Sequence, residues 1–332
     1  MRWVVCSFAF ALSMLSAGCG VPSFLITPVS SSTTLQERVV QRGKGLSPDK
    51  IAIIEVEGML MNVRAGGFLQ PQENKVSLFT QQMRAAARDP SVKAVVLRVN
   101  SPGGTVTASD TMYETVRNFR RVTRKPVIAS TQEVAASGGY YVACAADEIV
   151  AHPTSVVGSI GVLFQTMEFQ GALGKLGVRA ESIKSGPLKD MGSPFKALRE
   201  NEREVMQEMV DEYFERFVAV VTTHRPVKEP HPTQPLPEDY GGVYSGRVFS
   251  GERAVQLGLA DRTGRLEDAI KLAKQKGKAP NAKVILYRRP YGYAGSIYAE
   301  SQTPRPRANV LQLELPESRA FLPSGFYYLW EP

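Results

Sequence analysis

The sequence predicts an α/β protein in which loops at one edge of a sheet converge on a reaction site. Two observations carry this. An apolar, β-branched run from Ala94 to Val99 feeds Asn100-Ser101-Pro102-Gly103-Gly104, and a helical pattern follows from Thr107 to Phe119 with Met112, Val116 and Phe119 on one side. The same order of strand, glycine turn and helix recurs at once. Pro126 to Ser130 reads as the strand, Ser137-Gly138-Gly139 as the turn, and Tyr141, Val142 and Ala145 lie on the helix. With 332 residues and 43% hydrophobic content, the chain can bury a substantial core.

The other elements are read from periodicity and caps. Ile51 to Val56 fits an interior strand ending before Glu57-Gly58, a loop surrounds Ala65-Gly66-Gly67, and 76–88 has helical spacing. Ile149 to Ala151, Gly161 to Phe164 and Ala180 to Ile183 read as short strands. The longest helix is expected from near Pro194 to about Thr222, with Met206, Met209, Tyr213, Phe217 and Val220 forming either a core stripe or a subunit contact. Residues 225–240 hold five of the 22 prolines and read as an extended surface loop. Ser250 to Leu257 closing at Gly258, and Arg265 to Gln275 closing at Gly277, are two capped helices. The aromatic- and proline-rich tail after Pro290 ends in Gly325-Phe326-Tyr327-Tyr328-Leu329-Trp330, a segment open to docking on the body.

The N-terminus reads as a leader: Arg2, an apolar run from Trp3 to Leu15, then Ser16-Ala17-Gly18-Cys19. The run is short for a membrane span. Its end resembles a bacterial lipoprotein signal, in which Cys19 becomes the lipidated first residue, although Leu15 stands one place earlier than the pattern asks. Ordinary cleavage, or retention of the leader as an anchor, are the alternatives. Residues 1–18 are thus the expected signal peptide, and 19–49, with Ser30-Ser31-Ser32-Thr33-Thr34, a tether holding the body at an extracytoplasmic membrane face.

Composition narrows the function. The net charge of +8 is scattered apart from a basic stretch from Lys271 to Arg289, read as a solvated face, and no nucleic-acid motif accompanies it. Cys6, Cys19 and Cys144 offer no disulfide framework. His152, His224 and His231 form no metal-ligand spacing with them, so neither a metal nor a cofactor is expected.

Ser137 is the candidate nucleophile. Gly138 and Gly139 let the chain turn sharply and bring amide N–H groups close to a bound carbonyl, while a helix start follows. The plainer alternative is a helix cap. A proton acceptor is also required, and the candidates are His152, placed before Pro153 where a structural role suffices, and Lys189 in the turn-rich stretch Ser185 to Pro194. Lysine serves as a base only if burial brings its pKa from about 10.4 toward 7–8, on the order of 4 kcal/mol. Otherwise Lys189 is an exposed loop lysine.

From about Ile51 to Lys274 the chain resembles the signal peptide peptidase A family, membrane-associated Ser/Lys-dyad peptidases of the ClpP/crotonase fold. Five ordered segments carry the resemblance: Asn100 to Gly104, Ala135 to Tyr141, Val157-Gly158-Ser159-Ile160-Gly161-Val162, Lys189-Asp190, and Gly246 to Gly251 with Ala254 through Asp261. It implies a ClpP/crotonase-like α/β fold of repeated β-β-α units over 50–289, with 290–332 a C-terminal tail. By the same resemblance Ser137 is the nucleophile, Lys189 the general base and Ser159 the hydroxyl orienting the lysine amine. The N–H of Gly104, with one from the Ser137 turn at Gly138, forms the oxyanion hole. Family members form rings or domes with sites at protomer boundaries. One copy of each motif here implies a homo-oligomer whose serine and lysine come from neighbouring subunits, acting on cleaved signal peptides or other unfolded apolar segments. The 225–240 loop looks like an insertion. Two other readings of the same fold stand beside this one, a crotonase-type acyl-CoA enzyme and a non-catalytic ring scaffold.

Overall fold

A computed structural model describes residues 34–63, 73–227, 242–289 and 325–330. The leader with Cys19, the loop around Ala65-Gly66-Gly67, and most of the 225–240 loop lie outside the described residues.

A strand covered by helices on both faces must be apolar throughout, and the central strands obey this. After β1 (Gln36–Gln41), β2 (Lys50–Glu57) sends Ala52, Ile54 and Val56 to one face and Ile51 and Ile53 to the other. Helix α1 (Lys75–Arg88) starts on Asn74, whose side chain accepts from the Ser77 N–H at 2.9 Å, and buries Val76, Phe79 and Met83. β3 (Val92–Ser101) leads into the short β4 (Gly103–Thr105) and α2 (Val106–Thr123), and β5 (Val127–Ala136) into α3 (Gly138–Ala143). The repeated strand, glycine turn and helix read from the sequence is therefore present.

Short strands follow: β6 (Glu148–Ala151), β7 (Val156–Gly158) and β8 (Leu163–Gln165), then α4 (Gln170–Lys175) and the long α5 (Glu200–His224). The described part ends with β9 (Val248–Ser250), α6 (Gly251–Leu257), β10 (Arg262–Thr263), α7 (Leu266–Lys276), β11 (Lys283–Arg288) and β12 (Gly325–Leu329). Among the described residues nine strands form one sheet, running β1-β11-β2-β3-β5-β6-β10, with β7 on the far half of β5 and β9 beside β7. The pairings are parallel except β1 with β11 and β7 with β9. Helix α7 covers one face through Leu266, Ala269, Ile270 and Ala273, while α1, α2, α3 and α5 cover the other.

One irregularity positions the site. Along β3 the partner of Val99 is Thr131 and that of Ser101 is Ala135, so β5 advances four residues while β3 advances two. Gln132 and Glu133 are the excess, a bulge that leaves the ladder and faces outward. The Asn100 side chain patches the gap by accepting from the Val134 N–H at 3.2 Å. Beyond the bulge β5 leaves β6 and pairs with β7, Ala136 opposite Gly158.

Three sequence expectations are corrected. Ala180 to Ile183 is exposed and carries no strand, because among the described residues no strand offers it a ladder and no side chain covers Ile183. The long helix starts at Glu200 rather than near Pro194. Arg199 is its N-cap residue, and Glu202 reaches back to accept from the Arg199 N–H at 3.2 Å. The stretch read as a tether contains β1, which pairs with β11, and the tail contributes β12 to a second, smaller sheet. Of the α5 stripe, Met206, Phe217 and Val220 are buried and Met209 and Tyr213 half-buried.

Candidate active site

Ser137 stands at the C-terminal end of β5, where the strand turns into α3. It is fully buried, and its backbone adopts φ 50°, ψ −118°, a left-handed conformation that a residue with a Cβ rarely takes. Such strain persists only where surrounding bonds fix it. Here the Ser137 N–H donates to Gly158 O at 2.8 Å and the Ser137 carbonyl accepts from the Tyr141 N–H at 2.8 Å. Ser137 has no side-chain cap bond, and its buried Oγ has no hydrogen-bond partner among the described residues. That argues against the helix-cap reading, since a cap serine uses its oxygen.

Two glycine turns meet in front of it. A Cβ built on Gly103 would stand 2.8 Å from the Gly138 nitrogen, and one on Gly138 would stand 3.2 Å from the Gly103 Cα and 2.3 Å from Ser109 Oγ. Only glycine lets these backbones approach so closely. Ser101 Oγ ties the first turn down, donating to Gly58 O at 2.6 Å and accepting from the Gly103 N–H at 3.1 Å. Leu60 flanks the turn, donating to Gly103 O at 2.8 Å and accepting from the Thr105 N–H at 2.9 Å. Between those two bonds the Gly104 N–H and C=O turn the other way, toward β12. The Gly138 N–H belongs to the first turn of α3 and so has no acceptor within that helix.

Ser159 follows β7, next to Ser137 across the β5–β7 ladder. It is buried, has φ 51°, and its N–H donates to Arg247 O at 2.8 Å. The structure therefore brings Ser137, Ser159, Gly104 and Gly138 together at the ends of adjoining strands. Among the described residues no hydrogen bond joins the Lys189 amine to Ser137 or Ser159. Lys189 is exposed, in a turn closed by its own N–H on Gly186 O at 3.3 Å. The neighbouring Asp190 pins the turn through Lys184 at 2.7 Å and through Lys196 and Arg199 at 3.6 Å. The surrounding stretch exposes Phe169, Leu176, Val178, Ile183 and Phe195.

His152 is not part of this constellation. It lines a polar cavity of about 300 Å³ with Glu55, Glu57, Arg98, Gln132 and Arg265, a cavity that Ser137 does not line. Cys144 is buried in the core, where desolvation pushes its thiol up to about 11, so it is no nucleophile. Among the described residues there is no group of His, Cys, Asp and Glu able to hold a metal, and no helix long and apolar enough to cross a membrane.

Sequence reasoning missed Ser101, Ser109 and Gly103 as the parts that hold the two turns together, and Tyr328 as their neighbour. The first three were legible as small residues around the turns. For Tyr328 the only signal was the strand-like aromatic run Phe326-Tyr327-Tyr328.

Comparison with known proteins adds to the geometry. The model of peptidase family S49 matches residues 120–279, and that of Clp protease matches 53–157. A Methanocaldococcus jannaschii protein named as a protease is 35% identical over 221 residues, 67% of this chain and 68% of that one. An Enterococcus faecium protein bearing the name signal peptide peptidase SppA is 34% identical over 254 residues, 76% of this chain and 71% of that one. The chloroplastic serine protease SPPA of Arabidopsis thaliana is 34% identical over 241 residues, 72% of this chain and 34% of that one.

Proposed function

The chain belongs to peptidase family S49, the signal peptide peptidase A family, and is a serine peptidase; from that premise we propose that Ser137 is its nucleophile and Lys189 of a neighbouring protomer its general base. The single observation that carries the first assignment is the strained, buried turn of Ser137 against Gly103, Gly104 and Gly138, with an Oγ that has no hydrogen-bond partner among the described residues. The exposed apolar stretch around Lys189 supports the second, since five large exposed hydrophobics in one segment are what a subunit contact covers.

In this mechanism a neutral Lys189 amine, oriented by the Ser159 hydroxyl, takes the Ser137 proton as Oγ attacks the substrate carbonyl. The carbonyl oxygen becomes an oxyanion held by the N–H groups of Gly104 and Gly138. The lysine ammonium returns the proton to the departing amine, which leaves an acyl-serine. Water, deprotonated by the same amine, then releases the acid and restores Ser137.

The substrates proposed are cleaved signal peptides or other unfolded apolar segments near a bilayer. The enzyme is held there by its N-terminus, through lipidation at Cys19 or a retained leader, on the extracytoplasmic side. Mixing Ser137→Ala and Lys189→Ala protomers tests the scheme. Each variant alone should be inactive toward a peptide with a hydrophobic core, and the mixture should regain activity. A mixture as inactive as its parents refutes the cross-subunit dyad, and a Ser137→Ala protein that cleaves like the unaltered one refutes the nucleophile.

A further inference from the structure

On the face of the sheet opposite α3, the residues change from apolar to charged within one step of the register. Ile53, Val96 and Ile128 are cross-strand neighbours and pack beneath α7. The next residues on that side form the row Glu55, Arg98, Ser130 and Val150. Helix α7 starts over this row, since a Cβ built on Gly264 would stand 2.8 Å from Val150 Cγ1. Past it the same side of the strands, through Glu57, Asn100 and Gln132, lines the polar cavity of about 300 Å³ that also holds His152. A sheet face packed under a helix gains from apolar residues, so polar ones on three strands at one level mark a place kept for something other than core. The cavity opens at the carboxyl ends of parallel strands, where β5 parts from β6 to join β7. That position and that volume suit a small molecule.

The groups on the cavity floor are already engaged. Arg98 pairs with Glu55, and the Asn100 side chain accepts from the Val134 N–H at 3.2 Å. Gln132 Nε2 donates to Ser130 Oγ at 3.2 Å, and His152 Nδ1 meets Thr154 Oγ1 at 3.0 Å. Two charges at the mouth are different. Neither the Glu133 carboxylate nor the Arg265 guanidinium forms an ion pair among the described residues. One sits on the β5 bulge and the other immediately before α7, and their signs are opposite. A plain anion would meet Glu133 and a plain cation would meet Arg265, whereas a molecule with one charge of each sign satisfies both. We propose that this cavity binds a zwitterion, an amino acid or short peptide with free ends, with its ammonium on Glu133 and its carboxylate on the planar fork of Arg265. Hydrolysis of a peptide bond creates one new ammonium and one new carboxylate, so the ligand class is that of the peptidase's own products. The inference goes beyond the proposed function and needs neither Ser137 nor Lys189 to be assigned correctly.

The test is calorimetric titration of the Ser137→Ala protein with alanine and with alanyl-alanine. At least one should bind saturably, with half-saturation below about 1 mM. Amidating the carboxylate or acetylating the amine of the better ligand should each weaken binding at least tenfold. Both side chains are exposed, so their variants should keep the fold. In Glu133→Gln the free and acetylated forms should bind alike, and in Arg265→Gln the free and amidated forms should bind alike. Binding by neither probe overturns the inference. So does binding whose penalties for acetylation and amidation persist in both variants, because the ligand is then held elsewhere. A second readout locates it: on saturation amide exchange should slow at 132–134, and unchanged exchange there overturns the assignment to this cavity. The mixed-protomer experiment is independent of these outcomes, since its failure removes the Ser137 and Lys189 dyad and leaves the cavity standing.

Discussion

Replacing Ser137 separately by alanine and by glycine isolates the backbone strain at the nucleophile. Both changes remove Oγ, a buried hydroxyl without a partner among the described residues, so its desolvation cost cancels between them. What differs is the Cβ. Alanine keeps it, and with it the cost of holding φ 50°, ψ −118°, about 1–3 kcal/mol for a residue that is not glycine. Glycine removes that cost but loses more backbone freedom on folding, about 0.5–1 kcal/mol. The balance favours glycine by about 1 kcal/mol, whereas at an ordinary strand position alanine would win. For a domain of this size 1 kcal/mol moves the melting temperature by roughly 2–4 °C. Thermal melts of the two variants at one protein concentration read this difference, and both should be inactive toward peptide. A glycine variant melting at or below the alanine variant would refute the strain and with it the physical account of the turn.

Two further outcomes follow from buried charge. The Glu55 side chain is largely enclosed between the buried Arg98 and Arg288, so Glu55→Gln removes the negative charge both guanidinium groups meet there and should cost on the order of 3 kcal/mol, read as a lower urea midpoint; an unchanged midpoint contradicts this. Burial pushes the Glu202 carboxyl up, but hydrogen bonds from Lys196 and Arg199 outweigh it and hold its pKa at about 2. A depressed folded pKa stabilises above the unfolded value of about 4.3 and is lost as pH falls through the folded one, so between about pH 5 and 2 the unaltered protein should lose stability more steeply than Glu202→Gln. Parallel curves would show that Glu202 contributes nothing there.

Much of this was legible in the sequence because it is local. The Ser137 turn, the Ser250 cap with its Gly258 stop, and the long apolar runs of β2 and β3 depend on neighbours within a few residues. What escaped depends on distant partners. Five residues of β12 find theirs more than 150 positions away, and nothing local says that Tyr328 will lie opposite Gly104. Ala180 to Ile183 reads as a short strand in the sequence, yet these residues are exposed and unpaired with any strand among the described residues. Lys189 is of the same kind, since nothing near it in the sequence says which group its exposed amine will meet.

The bulge at Gln132 and Glu133 has a consequence for how the site tolerates change in chain length. Both residues stand outside the β3 ladder, so deleting the pair would preserve the alternation of β5 against the core. It would also retract everything beyond by two strand residues, roughly 7 Å. Ala136 would no longer stand beside Gly158, and the two serines at positive φ would part. The two residues that contribute least to the sheet thus set its reach, and separate a reactive edge from an inert one.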